Sequence, residues 1–166
     1  MVNAIQKITI NTLFLLGVCI STSAIANPLK QCSSAPLTVS KKKVGQATYF
    51  AENCQKTWHD QSIQLNFAYD RDIPEWAFKR AATYFLKKNI AQYQDSSVLN
   101  KITQLYKPVK KGDLYSLMYN HSAKKLTLIL NKKELGHIQD KQANEYFKIW
   151  LGKQPFSDNL KQQLLN

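Results

Sequence analysis

The stretch GDLYSLMYNHSAKKLTLILNKKELGHI, residues 112–138, decides the fold. It reads as strand, turn, strand, turn, strand. GDLYSLMYN (112–120) and KLTLILN (125–131) are the first two runs, and HSAK joins them. Leu126, Leu128 and Leu130 fall on one face of the second run, the period-two pattern of a half-buried strand. NKKE then turns the chain into LGHI. Connections this short join antiparallel neighbours, so the segment is an antiparallel meander.

Upstream, the residues from Gln61 alternate again. Ile63, Leu65, Phe67 and Tyr69 face one way, and Gln64, Asn66 and Ala68 the other. The strand ends at DRDIPEW (70–76). There Asp72 and Glu75 have the spacing of a capping box, with Pro74 tolerated in the first turn. The helix that follows is predicted to run to about Asn89. Its expected inward stripe is Ile73, Trp76, Ala77, Ala81, Tyr84 and Phe85. A second helix is expected near residues 97–106, with Val98, Ile102, Leu105 and Tyr106 inward, ended by Pro108. Earlier still, APLTVS (35–40) and VGQATYFA (44–51) read as two strands, with Lys41–Lys43 in the turn between them.

Downstream, FKIWLGKQPFSD (147–158) reads as a helix end, a stop and a new helix start. Ala143, Tyr146, Phe147, Trp150 and Leu151 follow the i, i+3, i+4, i+7, i+8 spacing of a core-facing stripe. Gly152 suits the position after a helix, and Pro155 prevents continuation. Ser157 is placed to cap a last helix carrying Leu160, Leu164 and Leu165. Burial of one large apolar side chain contributes about 1.5–3 kcal/mol, so this terminus is expected to belong to the core. Strands, helices, antiparallel strands and helices in that order predict an α+β domain with helices on one face of the sheet.

The first 26 residues have the order of a secretory signal peptide. Lys7 precedes a short apolar run at 13–20, and Ala24 and Ala26 supply an A-x-A site. The run is too short for a membrane span, which takes about 20 apolar residues. Bulky Val18 argues against lipidation at Cys19. Cleavage after Ala26 is expected, leaving residues 27–166 as one exported domain of 166 − 26 = 140 residues, with a periplasmic location. In an oxidising compartment the remaining cysteines, Cys32 and Cys54, most simply form one disulfide.

The formal net charge is +12. Nucleic acid is still not the expected partner. Nearly all of the charge is lysine, arranged in scattered doublets, and only Arg71 and Arg80 offer a guanidinium for bidentate contacts. Export would also remove the chain from cytoplasmic nucleic acid. A solvated basic surface is expected, with weak attraction to an anionic membrane surface as its further consequence. His59, His121 and His137 form no HxxxH or HExxH pair, so no metal site is predicted. GxSxG and phosphate-cradling glycine motifs are missing too, and no cofactor is expected.

Five segments in order carry a family resemblance: VGQATYF (44–50), LNFAYDRDIPEW (65–76), KGDLYSLMY (111–119), LILNKKELGHI (128–138) and FKIWLGKQP with its following leucines (147–165). Together they resemble the bacterial exported chalcone isomerase-like family. The resemblance covers nearly all of the chain from about residue 36. It implies an open-faced β-sandwich, a curved antiparallel sheet with helices over one side. It further implies a cleft between sheet and helices. In plant relatives that cleft serves either flavanone ring closure or fatty-acid binding, with an arginine on an early strand meeting an anionic oxygen.

This sequence departs from that pattern, having no arginine between Asn27 and Asp70. The leading expectation is therefore a non-catalytic, monomeric domain that binds a small apolar or amphipathic ligand, fatty-acid-like, in the cleft. The alternatives are an isomerase or intramolecular lyase on another substrate, and a protein-interaction module of the envelope. Arg71, in the YDRDI segment, either faces the cleft and holds an anion or pairs with Asp72, Glu75 or Asp113. Tyr69, Trp76, Tyr115 and Tyr119, with Trp58, are candidates for lining the cleft or for plain core.

Overall fold

The meander extends through the whole sheet. In the computed structural model, which describes residues 28–166, six strands lie side by side in chain order: β1 (Lys30–Val39), β2 (Lys42–Ala51), β3 (Ile63–Tyr69), β4 (Leu114–Asn120), β5 (Lys125–Leu130) and β6 (Lys133–Gln139). Each is antiparallel to the next. Helices α1 (Glu75–Asn89) and α2 (Val98–Gln104) are inserted between β3 and β4, which still pair directly. Helices α3 (Lys148–Leu151) and α4 (Asp158–Leu165) close the chain. The expected signal peptide and its cleavage site fall outside the described residues.

Period-two alternation makes the sheet one-sided. Tyr49, Ile63, Leu65, Phe67, Tyr115, Leu117, Leu126 and Leu128 are buried beneath the helices. The other face carries short polar contacts. Ser34 and Thr48 hydroxyls meet at 2.9 Å, Gln46 Nε2 donates to Ser34 Oγ at 2.8 Å, and Gln64 Nε2 donates to Asn66 Oδ1 at 2.7 Å. The architecture is the expected α+β, an open curved antiparallel sheet with helices on one face. Helix α4 is tied down over β1, where Ser33 Oγ donates to Leu164 O at 2.6 Å.

Two tight hairpins set the register. Ser40 and Lys41 both have positive φ, as do Asn131 and Lys132. Such two-residue turns match the twist of the flanking strands. Only Lys41 of the three lysines expected in the first turn is therefore there, while Lys42 and Lys43 open β2.

Helix α1 departs from its expected start. Ile73 exchanges both backbone hydrogen bonds with Val109, each 3.0 Å, in an isolated antiparallel bridge. The residue before a proline is held extended, so the helix begins only after Pro74, and Asp72 cannot cap it. Asp72 Oδ1 instead accepts from Lys111 N at 3.0 Å. With Ile73 outside the helix, the inward line runs through Phe78, Ala82, Phe85 and Leu86. Trp76 and Tyr84, expected inward, are 63% and 52% exposed.

The C-terminal stripe is buried as expected except at Trp150, which is only half-buried while Ile149 takes a core place, and the stripe is not in one helix. Ala143–Phe147 is a 3-10 turn leading into α3. Ala143, Tyr146 and Phe147 are fully buried, and Ile149 and Leu151 nearly so. Gly152 has extended backbone, φ −74° and ψ −171°, so it is not there for a left-handed cap. A Cβ would sit 2.4 Å from Asn89 Oδ1 and 2.5 Å from Lys148 O. That room lets the Asn89 amide donate to Phe85 O and Gln154 O and accept from Gln154 N, which locks α1 to the α3–α4 link. Ser157 Oγ accepts from Leu160 N, and Leu160 and Leu164 are buried while Leu165 is exposed.

Cys32 and Cys54 form the expected disulfide. It ties β1 to the loop before β3. The same loop is held by Gln61, fully buried, whose amide donates to Asn53 O and Lys56 O and accepts from Asn53 N.

Candidate ligand-binding cavity

Three small residues on α1 leave space above the sheet. Ala77, Ala81 and Ala82 stand where large side chains would close the gap. The result is a cavity of about 270 Å³. Its floor is Phe67 and Tyr69 of β3 with Leu37 and Val44 from the first two strands. Ile149, Trp150 and Phe156 wall it on the C-terminal side, and Phe78 and Tyr106 close its inner end. Val39 lines it and is 44% exposed, so the cavity opens at the β1–β2 hairpin tip. Ile73 completes the rim beside α1.

Aromatic contacts make the walls rigid. Phe67 and Trp150 rings lie 4.8 Å apart, Phe78 stacks on Tyr106 at 5.3 Å, and Phe85 meets Phe156 edge-on at 5.6 Å. Such pairs add about 0.5–1.5 kcal/mol each beyond their burial. Among the described residues, the lining contains no ionisable group other than the phenols of Tyr69 and Tyr106. Burial pushes both phenols well above the ordinary range, so both stay neutral. The cavity can therefore hold an apolar body against a lining that is almost entirely apolar. A charged head would stay at the rim, since burying an unpaired ion costs far more than it gains.

The sequence candidates divide in space. Tyr69 lines the cavity. Tyr115 stands behind it, edge-on to Tyr69 at 6.2 Å, its hydroxyl donating to Lys107 O and accepting from Lys107 N. Tyr119 is buried four residues further along β4, near His121. Trp76 points to solvent. Arg71 is exposed at the bend before α1 and makes no ion pair with any described residue. Its three expected partners are engaged elsewhere: Asp72 as above, Glu75 with Lys79, and Asp113 with Asn131 and the Lys110 backbone. Ala82, Phe78, Trp150 and Phe156 were not legible as site residues. The available signal was alanine at inward helix positions where the rest of the core is large.

A second hollow, about 570 Å³, lies on the other side of α3 between Trp58, His59, Lys148, Lys153 and Lys161. Two of its three ammonium groups are already held, Lys148 by Glu145 and Lys161 by Gly152 O. Burial lowers the His59 imidazole below its usual range.

The buried phenols have a consequence for stability. Tyr69, Tyr106 and Tyr146 are all raised by burial. The unfolded chain would lose these protons near pH 10, whereas the folded chain keeps them, so the folded state binds more protons above that pH. Their contribution to stability is fully present below about pH 10 and is lost as pH rises beyond it. Urea titrations at about pH 8 and about pH 11 should show a clear drop in unfolding free energy, smaller in Tyr69→Phe.

An open-faced antiparallel sheet with helices on one side and an apolar cavity between them is an α+β class of fold. A model of the chalcone isomerase-like family matches residues 41–166, and the chain belongs to that family. Among solved structures, the crystal structure of a fatty-acid binding protein from Arabidopsis thaliana superposes with a TM-score of 0.63 at 12% identity, covering 82% of this chain and 86% of that one. That likeness shows a common fold. A search of curated proteins found no match.

Proposed function

We propose that this protein is an exported, non-catalytic carrier of a small apolar or amphipathic ligand, an acyl chain being the favoured class. The observation that carries the reading is the cavity under α1, apolar throughout and without a charged lining residue. General acid–base or nucleophilic chemistry needs a titratable group near neutrality or an activated nucleophile. The phenols of Tyr69 and Tyr106 are both pushed away from neutrality. The fatty-acid binding protein that shares the fold supports the same reading. At about 270 Å³ the cavity sits just under the ~300–1,000 Å³ of common ligand sites, which favours a short or medium chain over a long one.

Native mass spectrometry of protein exported to a bacterial periplasm, beside the denatured mass, tests this. The expected native mass carries a non-covalent acyl-sized adduct that the denatured mass lacks. Ala81→Phe, which fills the cavity, should abolish the adduct while keeping the melting temperature. A bare native mass that stays bare after incubation with saturated fatty acids of graded length would overturn the proposal.

A further inference from the structure

The outer face of α1 is unusual for a small basic domain. Five large apolar side chains are exposed among the described residues: Val39, Trp76, Tyr84, Met118 and Leu165. Two of them stand on α1, the helix over the cavity, and a third is at the cavity mouth. Val39 lines it. Trp76 precedes Ala77, a lining residue, on α1. Tyr84 lies two turns further on, edge-on to Phe85, which in turn packs on the cavity wall residue Phe156.

Cations outnumber carboxylates on the same helix. α1 carries Lys79, Arg80, Lys87 and Lys88 against a single carboxylate, Glu75. Glu75 is bound to Lys79, and Lys87 reaches only Asp95 at 3.9 Å. Arg80 stands one turn from both Trp76 and Tyr84 and pairs with no described carboxylate. Lys88 Nζ lies 4.7 Å above the Tyr84 ring rather than against an acid. At the hairpin tip, Lys43 is paired with Asp70, while Lys41 and Lys42 have no acidic partner among the described residues.

Exposed tryptophan and tyrosine interleaved with unpaired cations is the composition of a membrane-interface contact. The rings sit at headgroup level and the cations meet anionic lipid. Each lysine or arginine near an anionic surface adds to the attraction. We propose that the outer face of α1 and the β1–β2 hairpin tip dock the protein on an anionic lipid bilayer, with the cavity mouth against the lipid. Trp76, Arg80 and Tyr84 form the centre of the contact, and Lys41, Lys42 and Lys88 its edge. The choice of a bilayer over a protein partner rests on charge complementarity. The patch carries an excess of cations, with Arg80, Lys41, Lys42 and Lys88 paired with no described carboxylate. The proposal deepens the carrier reading by naming where an acyl ligand would enter, and the docking itself stands or falls separately.

The test uses the exported protein with sonicated vesicles, either pure phosphatidylcholine or phosphatidylcholine with about one quarter phosphatidylglycerol. Co-sedimentation should occur with the anionic vesicles and be at least about tenfold weaker with the neutral ones. It should fade near 0.5 M salt, where the Debye length has shrunk to roughly 4 Å. Tryptophan emission should shift to the blue on binding, and Trp76→Phe should remove most of that shift. Arg80→Glu with Lys88→Glu should weaken anionic-vesicle binding about tenfold or more, with unchanged melting temperature. Equal binding to both vesicle types, or full binding by the double charge reversal, would overturn the docking surface. So would capture of a protein from envelope extracts through Trp76 in place of lipid. Protein that docks on anionic vesicles yet never takes up an acyl chain keeps this surface and removes the carrier function. Protein that loads acyl chain from solution but ignores vesicles does the reverse.

Discussion

Phe147→Ala lowers the unfolding free energy by about 3–5 kcal/mol. Phe147 is fully buried at the junction of the 3-10 turn and α3. Its ring faces Trp58 at 6.4 Å, and its neighbours Tyr146, Ile149 and Leu151 are buried with it. Removing the ring leaves a void beside Trp58 and the buried residues of the 3-10 turn and α3. These buried neighbours cannot collapse to fill it, which puts the cost at the upper end for such truncations. Domains of this size are stable by only about 5–15 kcal/mol, so the variant should melt far earlier or fail to accumulate. Urea denaturation followed by tryptophan fluorescence measures it. A loss below about 1 kcal/mol would mean the C-terminal stripe is not part of the cooperative core.

Loss of the disulfide is the second large effect. Cys32 and Cys54 are 22 residues apart, and closing a loop of that length in the unfolded chain is worth about 3 kcal/mol in the chain-entropy model. Neither cysteine is fully buried, so Cys32→Ser with Cys54→Ser opens no cavity, and the effect should come mainly from the unfolded state. Calorimetry should place the melting point roughly 10 °C lower. Reductant should produce the same drop in the parent and none in the double variant. An unchanged melting point would show that the Gln61 network already restrains this loop without the bridge.

Much of the scaffold was legible. The alternation at 63–69 predicts one buried face, and that face is buried, while at 126–130 Leu126 and Leu128 are buried but Leu130 only half so, and Thr127 opposite them is buried too. The closing stripe predicts a core-bound terminus, and Ala143, Tyr146 and Phe147 are fully buried. The pairing of the two cysteines followed from compartment and count. Tyr69 is a cavity residue that the alternation placed on the inner face, without distinguishing cavity from packed core.

What failed was decided at a distance. The phase of α1 depends on Val109, 36 residues beyond Ile73, which holds Ile73 extended by two backbone hydrogen bonds. No local periodicity contains that bridge, so Trp76 and Tyr84 read as inward while they face solvent. Gly152 read as a helix stop, yet its lack of a side chain serves Asn89, which approaches from another helix.

Sequence by itself determined the antiparallel meander of residues 112–138, the one-sidedness of its strands and the burial of the C-terminus. Each of these rests on side-chain period and short connections, which are local. Only the tertiary structure decided that Ala77, Ala81 and Ala82 stand over a space rather than against a neighbour, and that Arg80 is flanked by exposed rings. A cavity is a property of surfaces brought together from β1, β3, α1 and α3, and its emptiness is encoded in none of them alone.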